Sequence, residues 1–514
     1  MASPRVILSS RVLCSKRRLL LWGAWGPQGQ CQASLASAGK GNSIQAASEQ
    51  SQEEQASQDL GFWQDRTVQK WLDLQSCGEI SGRPLEFSGP EERLRTWLAD
   101  QLLPLWRLNY DEQLKVKFEV TKKTLEQFQS QLHKLGTRVA EAQDLDTFLQ
   151  PFIPSPVIDG YRNKSVFSVN RGPAGHPRTV GCFLRSPGGK KIFCVPPGHL
   201  QSLPAKHCQV AQCYEAFLRQ TPPDPSLVIG QLGPWRRLRV WTSRQGHTMA
   251  IITFHAEGLS QEAIRSQKEK VKDFFMSGQG SGCDLTSLYL KERVTPDPQL
   301  SCFHRYQLLA GEPHLFEDVL GLRLRISPGA FSPLNTGATE ALFQIVAELG
   351  GVDRNTVILD LSHATGATGL SLAQRAAQVV SVRLVRQVVE DARWSAAFNG
   401  IANWECQRQD VEKAVARLRK FPEDGQVLVA LVDPASAGLP PRVIRTIRGC
   451  PAIRKLVFIS SRPHREDMEA FLQLCRPAPS GQDLRGEPFR LGRAVPVDMF
   501  PHTLSSQLVL AFTR

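Results

Sequence analysis

Between Val357 and Ile459, short runs of consecutive apolar residues alternate with stretches of helical spacing. Val357-Ile358-Leu359-Asp360-Leu361, Val379-Val380-Ser381-Val382-Arg383-Leu384, Val427 to Val432 and Lys455 to Ile459 read as buried strands. Leu370 to Ala376, Val388 to Phe398 and Arg442 to Ile447 read as the helices between them. Near-continuous apolar strands belong to parallel sheets covered on both faces. The C-terminal part, 321–514, is therefore predicted to be α/β, a doubly wound parallel sheet. A last strand, Gln507 to Phe512, would run back along an edge.

Residues 151–320 carry a different pattern. Lys164 to Val169, Lys191 to Val195, Arg237 to Trp241 and Met249 to Phe254 are β-type runs set between Gly, Pro and Asn turns. They predict a central, mainly antiparallel α+β domain. Arg162, Lys164, Arg171, Lys190, Lys191, Arg236, Arg237 and Arg239 stand among these strands. Either a nucleic-acid-facing sheet or an ordinary solvated face accounts for them. Upstream, 91–150 is a helical entry segment: one helix through Glu91 to Leu98, a second from Tyr110 to Phe118, a third from Leu125 to Leu135. The Gln-, Ser- and Glu-rich stretch 41–60 opens a flexible linker, 49–90.

The 514 residues are 41% hydrophobic and 22% charged, the balance of a folded chain of two or three domains. No apolar run approaches the ~18 residues of a membrane span, so no membrane partner is expected. The net charge is +13, with a pI near 9.3. Residues 1–48 hold no Asp or Glu but carry Arg5, Arg11, Lys16, Arg17, Arg18 and Lys40. That composition predicts a mitochondrial transit peptide and a matrix location. A secretory signal is the rival, but its apolar core, Leu19-Leu20-Leu21-Trp22, is short and broken by Gly23 and Gly26. Taking the six charges from +13 leaves +7, a modest excess suited to RNA phosphates. The twelve Cys include no Cys-x-x-Cys pair, which argues against an iron–sulfur cluster or other metal site.

Candidate chemistry lies at the strand ends. In a Rossmann-like sheet the turn after the first strand meets the nucleotide. Here it runs from Asp360 through Gly366 and Gly369, and glycines there allow close backbone approach. The next strand should end in an acidic ribose partner, and Arg383 stands in that place. Asp433 ends the third strand above the crevice. Ser460 and Ser461 follow the fourth, where paired Ser residues ordinarily cap a helix.

Longer segments resemble one family. Asp498-Met-Phe-Pro-His-Thr503, Ser155 to Lys164 with its Tyr161-Arg162-Asn163-Lys164 core, Trp106 to Leu114, and Val389 to Gly400 are similar to motifs of the S-adenosylmethionine-dependent RNA (uracil-5-)-methyltransferases. The resemblance runs from about Trp106 to the C-terminus. It implies a C-terminal Rossmann-like methyltransferase domain and a central RNA-binding domain contacting RNA through Tyr161, Arg162, Asn163 and Lys164. It also implies S-adenosyl-L-methionine as cofactor, and mitochondrial tRNA (T-loop) and small-subunit rRNA as partners of a monomer. In that chemistry a Cys thiolate adds at uracil C6, C5 takes the methyl group, and a Glu removes the C5 proton.

Measured against the motifs, the pocket is altered. The nucleophile position is Ser461 and the base position Gln507. A cofactor-contacting Gln is Pro333, and the ribose-binding Glu is Arg383. Asp360, Gly366, Gly369 and Asp433 remain as cofactor-side positions. An alcohol with no His or Lys directly beside it carries almost no anion near neutrality, and an amide takes no proton. The sequence thus predicts a folded relative with RNA binding kept and turnover impaired or lost. The alternative is an active mitochondrial tRNA/rRNA uracil-5 methyltransferase.

Overall fold

The computed structural model describes residues 90–136, 145–185, 192–221, 234–256, 258–294, 303–330, 332–362, 365–383, 385–407, 411–418, 426–434, 438–463, 466–477 and 486–514. The expected transit peptide, 1–48, and almost all of the linker lie outside them, as do Lys190 and Lys191.

The chain enters through helices α1 (Pro90–Leu102), α2 (Tyr110–Lys134) and α3 (Leu145–Phe148). Asn109 caps α2: its side chain accepts from Glu112 N at 3.0 Å, and Glu112 returns to Asn109 N at 3.3 Å. The two helices expected here are one. Residues 119–124 contain no breaker, and the Thr121 and Thr124 hydroxyls donate to the carbonyls of Lys117 and Val120 at 2.9 Å each. Leu98, Ala99 and Leu103 pack with the central domain, whereas Leu125, Phe128 and Leu132 join the C-terminal core.

The central sheet contains β1 (Lys164–Asn170), β2 (Thr179–Arg185), β3 (Ile192–Val195), β4 (Trp235–Thr242), β5 (Thr248–His255), β6 (Ser287–Val294) and β7 (Phe303–Gly311), with α4 (Ala205–Gln220) and α5 (Gln261–Met276) packed on it. The order is β3-β2-β1-β4-β5-β6-β7. Among the described pairings of this sheet only β5–β6 is parallel, in keeping with a mainly antiparallel domain. A hairpin follows, β8 (Leu315–Val319) with β9 (Leu322–Ile326).

The C-terminal sheet is built from α6 (Thr336–Gly350), β10 (Thr356–Ser362), α7 (Ala367–Ala373), β11 (Gln378–Val382), α8 (Arg386–Phe398), β12 (Trp404–Gln407), α9 (Val411–Leu418), β13 (Val427–Asp433), α10 (Pro441–Arg448), β14 (Ile453–Ser460), α11 (Glu466–Cys475), β15 (Arg490–Val497) and β16 (Gln507–Thr513). Its order is β12-β11-β10-β13-β14-β16-β15. Every residue of β10 is buried, as a central parallel strand between two apolar layers requires. The last strand does run back antiparallel, but not along the edge: β16 lies between β14 and β15. The outer side of β15 is met by Leu149 and Ile153. No described helix is long and apolar enough to cross a membrane.

Candidate functional site

The order of strand addition reverses between β10 and β13, which run parallel, since β11 lies on one side of β10 and β13 on the other. Ligands of such sheets bind outside the carboxyl ends of the strands at this switch point. Strand register sets Ser362 beside Asp433 there. Because β16 is antiparallel, its first residue, Gln507, lies at the same end of the sheet as the last residues of β14, where Ser460 pairs with Leu508.

At the first strand, Asp360 is fully buried. Its Oδ1 accepts from Ser362 N at 2.9 Å and Ser362 Oγ at 2.7 Å. Its Oδ2 accepts from Ser381 Oγ and from Arg383 Nη2, both at 2.7 Å. Arg383 Nη1 also donates to the carbonyls of Asp360 and Val382, at 3.2 and 3.0 Å. The two glycines are explained by their own surroundings. A Cβ on Gly369 would meet Asp360 Oδ2 at 2.4 Å and Ser381 Oγ at 2.9 Å, and one on Gly366, at φ +87°, would meet Ala392 at 2.9 Å.

At the end of β14, Gln507 Nε2 donates to Ser461 Oγ at 3.3 Å, and Gln507 Oε1 is buried with no hydrogen-bond partner. Neither serine caps α11, which begins only at Glu466. Ser460 instead donates to Asp467 Oδ2 at 2.6 Å. Among the sequence-predicted site residues, Asp360 is thus in contact with Arg383 and Ser461 with Gln507.

The Tyr161–Lys164 segment is mostly interior. Tyr161 is buried and donates to Pro501 O at 3.3 Å. Burial raises its phenol to about 12. Asn163 Nδ2 donates to Pro333 O at 3.1 Å and Thr336 Oγ1 at 2.8 Å, which brings the two segments together. Lys164 is 6% exposed, and its ammonium lies 4.9 Å from the centre of the Trp241 ring. Burial, then Arg239 and Arg162, push it down to about 7. Arg162 is half-buried.

Sequence reasoning missed the clamp that holds the C-terminal motif. Lys117 Nζ donates to Asp498 Oδ1 at 2.6 Å, and both side chains are 0% exposed. Tyr110 Oη donates to Asp498 Oδ2 at 3.0 Å and accepts from Ser155 N at 2.7 Å. Burial lowers the Lys117 ammonium and raises the Tyr110 phenol. His502 sits at φ +68°, a strained position for a residue with a Cβ. Gln113 holds it, accepting from His502 N at 2.8 Å and donating to Nδ1 at 3.1 Å, while Nε2 meets Asp159 Oδ1 at 2.8 Å. The signal was present as buried-face spacing, Gln113, Lys117, Thr121, Leu125, in which the first three residues are polar.

A seven-stranded sheet of this order, with one antiparallel strand inserted and its crevice at the carboxyl ends, defines a Rossmann-like methyltransferase fold. No family model matches the chain. The Homo sapiens protein named tRNA (uracil-5-)-methyltransferase homolog B is 46% identical over 528 residues, covering 100% of this chain and 98% of that protein. Its Mus musculus counterpart is 45% identical over 523 residues and covers 100% of both. Homolog A of Mus musculus is 35% identical, covering 83% of this chain and 70% of that protein. The chain belongs to the tRNA (uracil-5-)-methyltransferase family. The Pyrococcus abyssi tRNA (uracil-54, C5)-methyltransferase, solved in complex with S-adenosyl-L-homocysteine, shares the fold: TM-score 0.53, 20% identity, 84% of this chain and 88% of that one.

Proposed function

We propose that this chain is a mitochondrial, RNA-binding member of the family whose turnover is lost, with tRNA and small-subunit rRNA as its RNA classes. The observation that carries the reading is the hydrogen bond from Gln507 Nε2 to Ser461 Oγ at 3.3 Å. An attacking oxygen must be deprotonated by its neighbour. Here the neighbour is an amide whose N–H occupies a lone pair of that oxygen and which takes no proton. Addition at uracil C6 and removal of the C5 proton then both lack their group.

RNA binding is supported by family membership and by the central sheet. Val166 opposes Arg239 and Ser168 opposes Arg237 across β1 and β4, while Arg239 and Arg237 face Ile251 and Thr253 on β5. Both arginines lie opposite the Phe167–Leu238 core and are half-buried, Arg239 Nη1 also donating to Pro328 O at 3.4 Å beside the Trp241–Ile251 cluster, and their guanidinium groups are of the kind that contacts phosphates. The mitochondrial placement rests on the acid-free, basic composition of 1–48.

The methyl donor that the family relation supports is S-adenosyl-L-methionine. The arrangement at β10 and β11 does not fit its ribose: a hydroxyl pair calls for an acceptor beyond β11, and Arg383 has none. Pro333 offers a carbonyl already accepting from Asn163. The second reading, an active mitochondrial tRNA and rRNA methyltransferase, is favoured by the 46% identity over the whole chain.

Fluorescence anisotropy with an unmodified tRNA transcript tests the proposal. Binding that weakens with salt and falls when Arg237 and Arg239 are both changed to Ala supports it. No binding at about 0.1 M salt sinks it.

A further inference from the structure

Asp360 is saturated by the chain's own donors. Four hydrogen bonds of 2.7–2.9 Å reach its two oxygens, one of them from Arg383. The Arg383 side chain is 4% exposed and lies across the end of β10, with Nη2 also 3.2 Å from Ser362 Oγ. Trp404 Nε1 donates to Ser381 Oγ at 3.0 Å and backs the cluster. Gly369 leaves no slack, since even a Cβ there would strike Asp360 Oδ2. One atom stands out: Arg383 Nε is buried without a hydrogen-bond partner. A buried N–H left unmade is a cost that folding accepts only where other contacts outweigh it. Here the outweighing contacts are the ion pair and the two carbonyls.

We infer that Arg383 is a built-in plug: its guanidinium, paired with Asp360, occupies the carboxyl end of β10 and β11 and must swing out before a nucleoside diol can bind. The inference rests on the proposed placement of the donor at this end of the sheet. A ribose hydroxyl is both donor and acceptor, but the Arg383 side chain offers only donors, the carbonyls of Asp360 and Val382 already accept from it, and Asp360 has none of its four bonds to spare. Binding therefore pays for breaking a buried pair before any contact is made, and the family's donor is held weakly. A ligand with an anion in place of the diol would meet Arg383 directly.

The test is titration calorimetry of the full chain with S-adenosyl-L-homocysteine, and with S-adenosyl-L-methionine, for the natural sequence and for Arg383→Ala. The natural chain is expected to remain unsaturated at about 1 mM, and Arg383→Ala to bind at least about tenfold tighter. Natural-sequence affinity equal to or tighter than that of the variant overturns the inference, because Arg383 would then be inert or a ligand contact. If Arg383→Ala does not fold, Arg383→Gln serves. It keeps donors for the carbonyls and removes the ion pair, and no gain in affinity there also overturns the inference. Anisotropy with tRNA on the same samples separates the two readings. Lost RNA binding counts against the proposed function, and tight cofactor binding by the natural chain counts against the plug.

Discussion

Replacing Lys117 with Met should destabilise the protein by about 3–5 kcal/mol, the usual cost of stranding one member of a buried ion pair. Lys117 and Asp498 are both 0% exposed and 2.6 Å apart. Met fills the volume of the lysine stem but leaves the Asp498 carboxylate with only Tyr110 Oη at 3.0 Å and Phe500 N at 3.1 Å as donors. It also strips the Phe500 carbonyl of its 3.0 Å bond from Lys117. Asp498→Asn should cost a similar amount, because it leaves a buried ammonium facing an amide. Lys117→Met combined with Asp498→Asn removes both charges and should cost clearly less than the two singles together. Urea unfolding followed by tryptophan fluorescence reads these as shifts in midpoint at constant slope. A Lys117→Met variant within about 1 kcal/mol of the natural chain would refute the reasoning, as would singles that simply add.

Glu317 gives a pH-dependent outcome. Burial raises its carboxyl from 4.5 to about 7, so the folded chain holds a proton there that the unfolded chain has released. Its contribution to stability is fully present below about 4.5 and is lost as pH rises to about 7, a fall of at most about 3 kcal/mol. Glu317→Gln should remove that slope; an unchanged urea midpoint profile between pH 4.5 and 7 in the variant contradicts it. Gly369→Ala should cost about 1–3 kcal/mol through the clash with Asp360 and Ser381, read by thermal melting, and a neutral melt would mean that α7 shifts freely. Ser461→Cys with Gln507→Glu should not restore full methyl transfer, because Arg383 and Pro333 still alter the donor side. Full activity in that double variant would show those two positions to be harmless.

The C-terminal sheet was legible because parallel strands are apolar on both faces: β10, β13 and β14 fall where their Val, Ile and Leu runs predict. The place of β16 was not, since an antiparallel insertion between β14 and β15 depends on pairing with residues far along the chain. The break predicted within α2 has a similar origin. Gln113, Lys117 and Thr121 face inward, but their polarity hid the stripe, and what satisfies Gln113 and Lys117 lies more than 380 residues away, at His502 and Asp498. The substituted site positions were visible as departures from motifs. That Arg383 folds back onto Asp360, and that Tyr161 and Lys164 are buried rather than displayed, are tertiary facts no local pattern carries.

The central claim is tested most directly by incubating the protein from about Glu49 onward with S-adenosyl-L-methionine and unmodified tRNA, and counting 5-methyluridine by nucleoside mass spectrometry. The account predicts no 5-methyluridine above a heat-killed control, in reactions where anisotropy shows the RNA to be bound. Its formation in amounts that grow with time and enzyme would contradict the account and make Ser461 and Gln507 part of a working site.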